Sequence, residues 1–285
     1  MDDPSHQMSR RPLIFPRQIL ERVGLIVVRV ARFPVGVIAG VPISLVLFVH
    51  DRTSVARALV SASPIILTTM TGFILNDLFD RRTDAMRGQL KPIANGDVPA
   101  LWAAAAAVLM ALSALAIAGI VARSYSVWVV VCALVGIAAY SPLARRFPVA
   151  KGLFTALLCC TPLMYASALS GYAFPAGYYV FLVLFIVGRE LLLDVRDYQW
   201  DRLARIRTLA AVMSKRTSQV VGWLFMIVGT GGFVALSQGY SRLLFLSAAL
   251  SLAAVLCLYL RDNQRALAWS RLTLLLATVA AAIGT

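Results

Sequence analysis

Apolar residues in this chain come in runs, and polar residues are confined to the stretches between them. The runs cover approximately 24–49, 55–78, 101–122, 125–142, 152–170, 174–193, 217–237, 241–260 and 269–284. Most are close to the length at which an α-helix, rising about 1.5 Å per residue, crosses a hydrocarbon layer of roughly 30 Å. Backbone polar groups in lipid must pair within their own segment, so such runs predict helices. The pattern predicts an all-α polytopic membrane protein: nine transmembrane helices forming a single domain over 24–285, after a polar N-terminal segment over 1–23. No small-residue cleavage site is well placed behind that segment, so it is expected to remain attached.

Composition agrees. Of 285 residues, 60% are hydrophobic and 14% charged, against about 45–50% and about 25% in soluble domains. A disordered chain is excluded and a soluble enzyme disfavoured. The net charge of +14 would suggest nucleic acid in a soluble protein. Here the charges lie between apolar runs, so an anionic bilayer face or an anionic substrate is the better partner. Cys132, Cys159, Cys160 and Cys257 fall inside apolar runs without metal-ligand spacing and read as small buried hydrophobes. His50 at the far end of the first run reads as structural.

Charge also orients the chain. Arg81, Arg82, Arg87 and Lys91 follow the second run; Arg145, Arg146 and Lys151 the fourth; Arg189, Arg196, Arg202, Arg205, Arg207, Lys215 and Arg216 the sixth; Arg261, Arg265 and Arg271 the eighth. The opposite links hold only Arg52, Arg57, Arg123 and Arg242. Basic loops stay in the cytoplasm. The expected arrangement is an integral protein of a bacterial inner membrane with a cytoplasmic N-terminus.

Acids cluster in two of the basic links, predicted on the same side. Asp77-x-x-Asp80-x-x-x-Asp84 and Asp194-x-x-Asp197-x-x-x-Asp201 share one spacing, four helices apart. This suggests two four-helix pseudo-repeats presenting equivalent acidic edges. Helical residues three and four apart share a face. Asn76, Asp80 and Asp84 would form one stripe with Asp77 beside it; Glu190, Asp194, Asp197 and Asp201 would form the other. Stacked carboxylates repel unless a cation lies among them. Mg²⁺ takes oxygen ligands and bridges to phosphates. Two clusters facing each other across a central cavity would hold a Mg²⁺–diphosphate unit, with Arg87, Lys91 and Arg207 on the remaining phosphate oxygens.

The acidic segments carry a family resemblance. Asn76-Asp77-Leu78-Phe79-Asp80-Arg81-Arg82-Thr83-Asp84 resembles the N-D-x-x-D-x-x-x-D signature of UbiA-type intramembrane prenyltransferases. Lys91-Pro92-Ile93-Ala94-Asn95-Gly96 resembles its R-P-I-x-x-G continuation. Tyr140-Ser141-Pro142 with Arg145-Arg146 resembles its Y-S-P segment, and Gly188-Arg189-Glu190 through Asp201 to Arg207-Thr208-Leu209 its second aspartate-rich region. The resemblance covers roughly 25–285 and implies nine helices. It implies Mg²⁺-dependent transfer of an isoprenoid from an allylic diphosphate to a lipophilic or aromatic acceptor, through a carbocation-like intermediate. Carried onto this chain, the metal-site residues are Asn76, Asp77, Asp80, Asp84, Asp194, Asp197 and Asp201. Diphosphate contacts are Asn76, Arg87, Lys91, Arg145, Lys151 and Arg207. Asp80, Asp84, Asp197, Asp201 and Tyr140 are catalytic, and the active site is cytoplasmic. Lys91 stands for the usual Arg and lacks its bidentate fork. Trp200 and Arg205 stand where Gly is usual, and Ala31 lies near a position that is acidic in several aromatic-acceptor members. Arg29 and Arg32 line the cavity or snorkel.

Three other functions use the same features. A terpene cyclase of this scaffold would ionise the same diphosphate and close the chain on itself. A related branch transfers phosphoribosyl to a lipid phosphate. A transporter would use the acids as ion sites, but such sites usually lie at the bilayer midplane, whereas these acids lie at one edge.

Overall fold

The computed structural model describes residues 16–121, 124–203, 206–236, 239–259 and 262–283. Among these there are helices and no strands. In chain order they are α1 (Pro16–Leu25), a π-helical stretch (Ile26–Val30), α2 (Phe33–His50), α3 (Val55–Met86), α4 (Ala100–Val121), α5 (Ser124–Arg146), a 3₁₀ turn (Pro148–Ala150), α6 (Lys151–Cys159), α7 (Thr161–Ser170), α8 (Ala176–Leu203), α9 (Leu209–Met213), α10 (Lys215–Leu236), α11 (Gly239–Tyr259) and α12 (Asn263–Ile283). Eight stretches are long and apolar enough to cross a membrane, with α6 and α7 together forming one of them, and Phe245–Tyr259 within α11 is a shorter apolar helix. The nine apolar runs thus map, among the described residues, onto eight stretches of spanning length and one shorter apolar helix.

Neighbour relations follow the suspected repeat. α3 packs on α2 and α4, and α8 packs on α6 and α10; α12 closes the ring against α11 and α2. Lipid offers little hydrophobic drive for helix association, so contact depends on close backbone approach. α8 and α10 achieve this through glycines. A Cβ at Gly188 would lie 2.5 Å from the Gly222 carbonyl oxygen, and one at Gly229 would lie 2.7 Å from that of Phe181. Large apolar residues such as Leu101, Leu109, Ile120 and Trp128 face outward, as lipid contact permits.

Four sequence expectations need correction. The first run is not one helix: it breaks at Arg32, which adopts the left-handed conformation (φ 51°, ψ 50°) before α2. Pro34, in the first turn of α2, fits a helix start there. The fifth run breaks at Cys160 ahead of Pro162, which sits in the first turn of α7. The second and sixth runs do not end before their acids. α3 and α8 continue for 32 and 28 residues and carry both acidic sets on their final turns. The cysteines also differ from expectation, since Cys132 and Cys257 are exposed on the bundle surface. His50 stacks on Tyr172 with centroids 4.6 Å apart, which supports a structural role.

The end of the bundle opposite the acids is closed by aromatic packing. Phe233 stacks on Phe245 at 5.4 Å, with Tyr178 at 5.6 Å from Phe233 and 6.0 Å from Phe245. Along α8, Tyr178 lies about 24 Å from Asp194 at 1.5 Å per residue.

Candidate active site

The site forms where α3 and α8 end. Their acids sit close to one line along each helix, and the cations that meet them come from the following loop, α5 and α6. Gly88 takes φ 63° just after α3, a conformation favoured by glycine, and its N–H returns to the Ala85 carbonyl. This αL stop folds the chain back so that Lys91 reaches α3. Lys91 Nζ lies 3.0 Å from Asp77 Oδ1 and 2.9 Å from Asp84 Oδ2, bridging two carboxylates two turns apart. Arg32 Nη2 approaches Asp77 Oδ1 at 3.4 Å and lies over the Phe73 ring, 4.6 Å from its centroid.

On the other side, Lys151 at the start of α6 donates to Asp194 at 2.5 Å. Arg189 pairs with Glu190 at 3.2 Å, and Arg196 with Asp197 at 2.8 Å. One ion pair joins the two sets: Arg87 Nη2, just after α3, lies 3.0 Å from Asp201 Oδ1 on α8. Between them, Tyr140 on α5 meets Thr155 Oγ1 at 3.3 Å and feels the charges of Glu190, Lys151 and Asp80.

Burial sorts the acids. Asp77, Asp84, Asp194, Asp201 and Glu190 are buried. Asp80 and Asp197 are the open members, with side chains 38% and 29% exposed, and Asp80 faces Arg145 at 3.3 Å. Arg145 also donates to the Phe79 carbonyl. The inner line on α3 therefore runs through Asp77 and Asp84; the expected Asn76–Asp80–Asp84 stripe is displaced by one position, and Asn76 is half-buried beside it. Arg207 is exposed and meets no carboxylate among the described residues, so it is not brought to the others. Trp200 is also exposed, so the bulk replacing the usual Gly points away from the acids. Arg205 lies outside the described residues. Arg29 lines an open groove with Glu21, Gly24 and Leu25.

Burying four aspartates in an apolar bundle is costly unless cations accompany them. Lys91, Arg87 and Lys151 supply that charge. Among the described residues no three acids, cysteines or histidines converge tightly enough to enclose a metal as they stand. The donors nevertheless suit a hard divalent ion: they are oxygens alone, and the oxygens of Asp77 and Asp84 share one ammonium, that of Lys91, whose place a cation would take. Glu190, the first acid of the second stripe, lies beside this centre; Thr155, in an apolar run, left no signal in the sequence.

A membrane-embedded helical bundle with two buried carboxylate sets and three cations at one end has the composition of an enzyme acting on a polyanion. The chain belongs to the UbiA prenyltransferase family, whose profile matches residues 36–281, and is an intramembrane isoprenyl transferase. Among curated proteins it is 29% identical over 235 residues to the digeranylgeranylglyceryl phosphate synthase of Natronomonas pharaonis, covering 77% of this chain and 81% of that protein. The synthase of the same name from Methanothrix thermoacetophila is 28% identical over 228 residues, covering 78% and 84%. Solved structures share the fold. A UbiA homologue from Archaeoglobus fulgidus bound to DMAPP and Mg²⁺ superposes with TM-score 0.66 at 14% identity, covering 90% of this chain and 98% of that one. The apo UbiA homologue from Aeropyrum pernix gives 0.66 at 18% identity, covering 86% and 96%.

Proposed function

We propose that this protein transfers an isoprenyl group from an allylic diphosphate to a lipid acceptor of the glycerol phosphate type, with Mg²⁺ as cofactor. The observation that carries the reading is the junction of the two carboxylate sets through Arg87 and Asp201, with Lys91 and Lys151 seated on the other buried acids. The relatives named for digeranylgeranylglyceryl phosphate support the acceptor class, and the Archaeoglobus homologue bound to DMAPP and Mg²⁺ supports the donor and the cofactor.

Asp77 and Asp84 on α3, and Asp194 and Asp201 on α8, would hold the metal, with Asn76, Asp80 and Asp197 at its outer side. A divalent cation bound there would draw negative charge toward the departing diphosphate. The chain's own cations do the rest. Lys91, Arg87 and Lys151 turn from carboxylate to phosphate oxygens as the substrate enters, and Arg145 approaches from the open side. The C–O bond to the allylic carbon breaks with its electron pair on diphosphate. That carbon bonds the acceptor nucleophile, which loses its proton. Tyr140, held by Thr155, orients the reacting groups. The apolar helices exclude the water that would otherwise quench a cationic carbon.

The basic residues gathered at this end favour a cytoplasmic site in the cell membrane. Purified protein in detergent, given geranyl, farnesyl or geranylgeranyl diphosphate with Mg²⁺, tests the reading. Diphosphate release with a prenylated glycerol phosphate product supports it. A cyclic hydrocarbon made without acceptor would show a cyclase instead, and flux without turnover a carrier.

A further inference from the structure

A threonine hydroxyl meets the Tyr140 phenol where α5, α6 and α8 come together. Thr155 Oγ1 donates to Tyr140 Oη at 3.3 Å, and it also lies 3.1 Å from the Lys151 carbonyl oxygen one turn back. A hydroxyl has a single proton to give. In an α-helix that carbonyl already accepts the N–H four residues on, so the Thr155 proton is free to serve Tyr140. Lys151 in turn sets its ammonium on Asp194. Two residues one turn apart on α6 therefore reach an acid of α8 and the phenol of α5.

The contact is held from both sides. A Cβ at Gly136, one turn before Tyr140 on α5, would lie 2.9 Å from Leu158 Cδ2 on α6. One at Gly152, three residues before Thr155, would lie 3.4 Å from Glu190 Cβ on α8. With α6 drawn this close to both neighbours, Thr155 and Tyr140 have little room to part. Arg145, five residues after Tyr140, pairs with Asp80 at 3.3 Å. α5 is thereby tied to the acids of α3 through Arg145 and to those of α8 through α6.

The direction of the bond has a chemical consequence. A phenol whose oxygen accepts one hydrogen bond keeps its own proton to donate, and donates more strongly, because hydrogen bonds in a chain polarise one another. We propose that Thr155 is a positioning residue for the transfer: by donating to the Tyr140 oxygen, it turns the Tyr140 proton to an oxygen of the departing diphosphate. The proton stays on Tyr140 throughout, and only hydrogen bonds change. Charge grows on the diphosphate as the C–O bond breaks, so a donor fixed in advance stabilises the transition state more than the bound substrate. The inference rests on the proposed isoprenyl transfer and deepens the part given there to Tyr140.

The test pairs kinetics with a signal that needs no turnover. Diphosphate release from geranylgeranyl diphosphate, with Mg²⁺ and octyl glyceryl phosphate, is followed in detergent for wild type, T155V, T155A, T155S, Y140F and Y140F/T155V. T155V and T155A should lower kcat about tenfold, with KM for the diphosphate changed less than about twofold. T155S keeps the hydroxyl and should recover most of the rate. Y140F should lower kcat about a hundredfold. Adding T155V to Y140F should cost nothing further, since the two residues act as a unit. Replacing Tyr140 by 3-fluorotyrosine supplies a fluorine resonance at the phenol. That resonance should move in T155V and stay near its wild-type position in T155S. It should move again when farnesyl thiodiphosphate and Mg²⁺ bind, and retention of that ligand shows that each variant is folded.

A T155V loss of the same size in the Y140F background would overturn the proposal, because Thr155 would then act without Tyr140. So would T155S as slow as T155V, or a raised KM at unchanged kcat, which would make Thr155 a packing or ground-state binding residue. A fluorine signal unmoved by T155V would remove the hydrogen bond itself. Wild type that turns over no allylic diphosphate, with the fluorine signal still separating T155V from T155S, would sink the prenyltransferase reading and leave the Thr155–Tyr140 bond standing.

Discussion

Arg87 Nη2 lies 3.0 Å from Asp201 Oδ1, so the residue that caps α3 holds the last acid of α8. The two side chains are 17% and 6% exposed, and the pair joins the halves of the bundle at the end where their acids gather. Removing one partner of a buried pair leaves an uncompensated charge, at a cost of about 3–5 kcal/mol. R87A should therefore lower the melting transition in detergent, and R87A/D201N should recover most of the loss. Near-UV circular dichroism melts check this. A double variant no better than R87A would show that the pair does not link the halves energetically.

Metal dependence follows from the buried carboxylates. Chelator should abolish diphosphate release, and Mg²⁺ or Mn²⁺ should restore it. D84N and D194N should each lower kcat by about two orders of magnitude or more, since each ~1.4 kcal/mol of lost stabilisation is tenfold. The double variant should be scarcely worse, because groups acting as a unit are non-additive. D97A is the control, since Asp97 is exposed on the turn after α3 and joins neither set. Full turnover in chelator would remove the metal from the scheme.

Close packing of α8 on α10 makes a separate prediction. A Cβ at Gly188 would meet the Gly222 carbonyl at 2.5 Å, backbone that cannot swing aside. G188A should destabilise by about 1–3 kcal/mol and, because Arg189 and Glu190 follow directly, should also weaken substrate binding. Gly119 in α4 has open space around it. G119A should be neutral or stabilising by up to about 1 kcal/mol. Equal melting of the two variants would contradict the packing.

Helix existence was legible in every apolar run, because runs near bilayer length have few alternative structures, but α1 and α9 lie in polar stretches and were not read. Helix ends were not. Asp77 to Asp84 and Asp194 to Asp201 read as polar links, yet both segments stay helical because cations from other elements neutralise them. Proline was an ambiguous guide. Pro34 and Pro162 mark helix starts, while Pro42, Pro64 and Pro142 lie inside continuous helices. The acids of the candidate site were visible from their spacing. Their cationic partners were visible only as residue types, since Lys91 to Asp84 and Arg87 to Asp201 are set by the Gly88 turn and the packing of the bundle.

Orientation can be read with cysteine labelling once the four native cysteines are replaced by Ala or Ser. T83C, on the last turns of α3, and L203C, at the end of α8, should react with an impermeant maleimide only from the cytoplasmic side. Y172C, between α7 and α8, should react only from outside. The reverse pattern would place the acidic end on the external face.

Lys91 gives the sharpest test of how the acids wait for their substrate. Its ammonium bridges Asp77 and Asp84 at 3.0 and 2.9 Å, where a divalent cation would need the same oxygens. Cation and lysine therefore compete, unless the lysine has a phosphate to move to. K91M keeps a similar length and removes the charge. Without substrate, K91M should bind Mn²⁺ about tenfold more tightly than wild type, a difference of roughly 1.4 kcal/mol, as read by paramagnetic resonance of the free ion. With farnesyl thiodiphosphate the order should reverse, because the variant has lost a phosphate contact. Metal-free K91M should also melt earlier, since two buried carboxylates are left without their shared cation, and Mn²⁺ should restore the melt by mass action. If K91M binds metal no better than wild type in the absence of substrate, Lys91 is not holding the metal's place, and the Asp77–Asp84 pair needs some other means of admitting the ion.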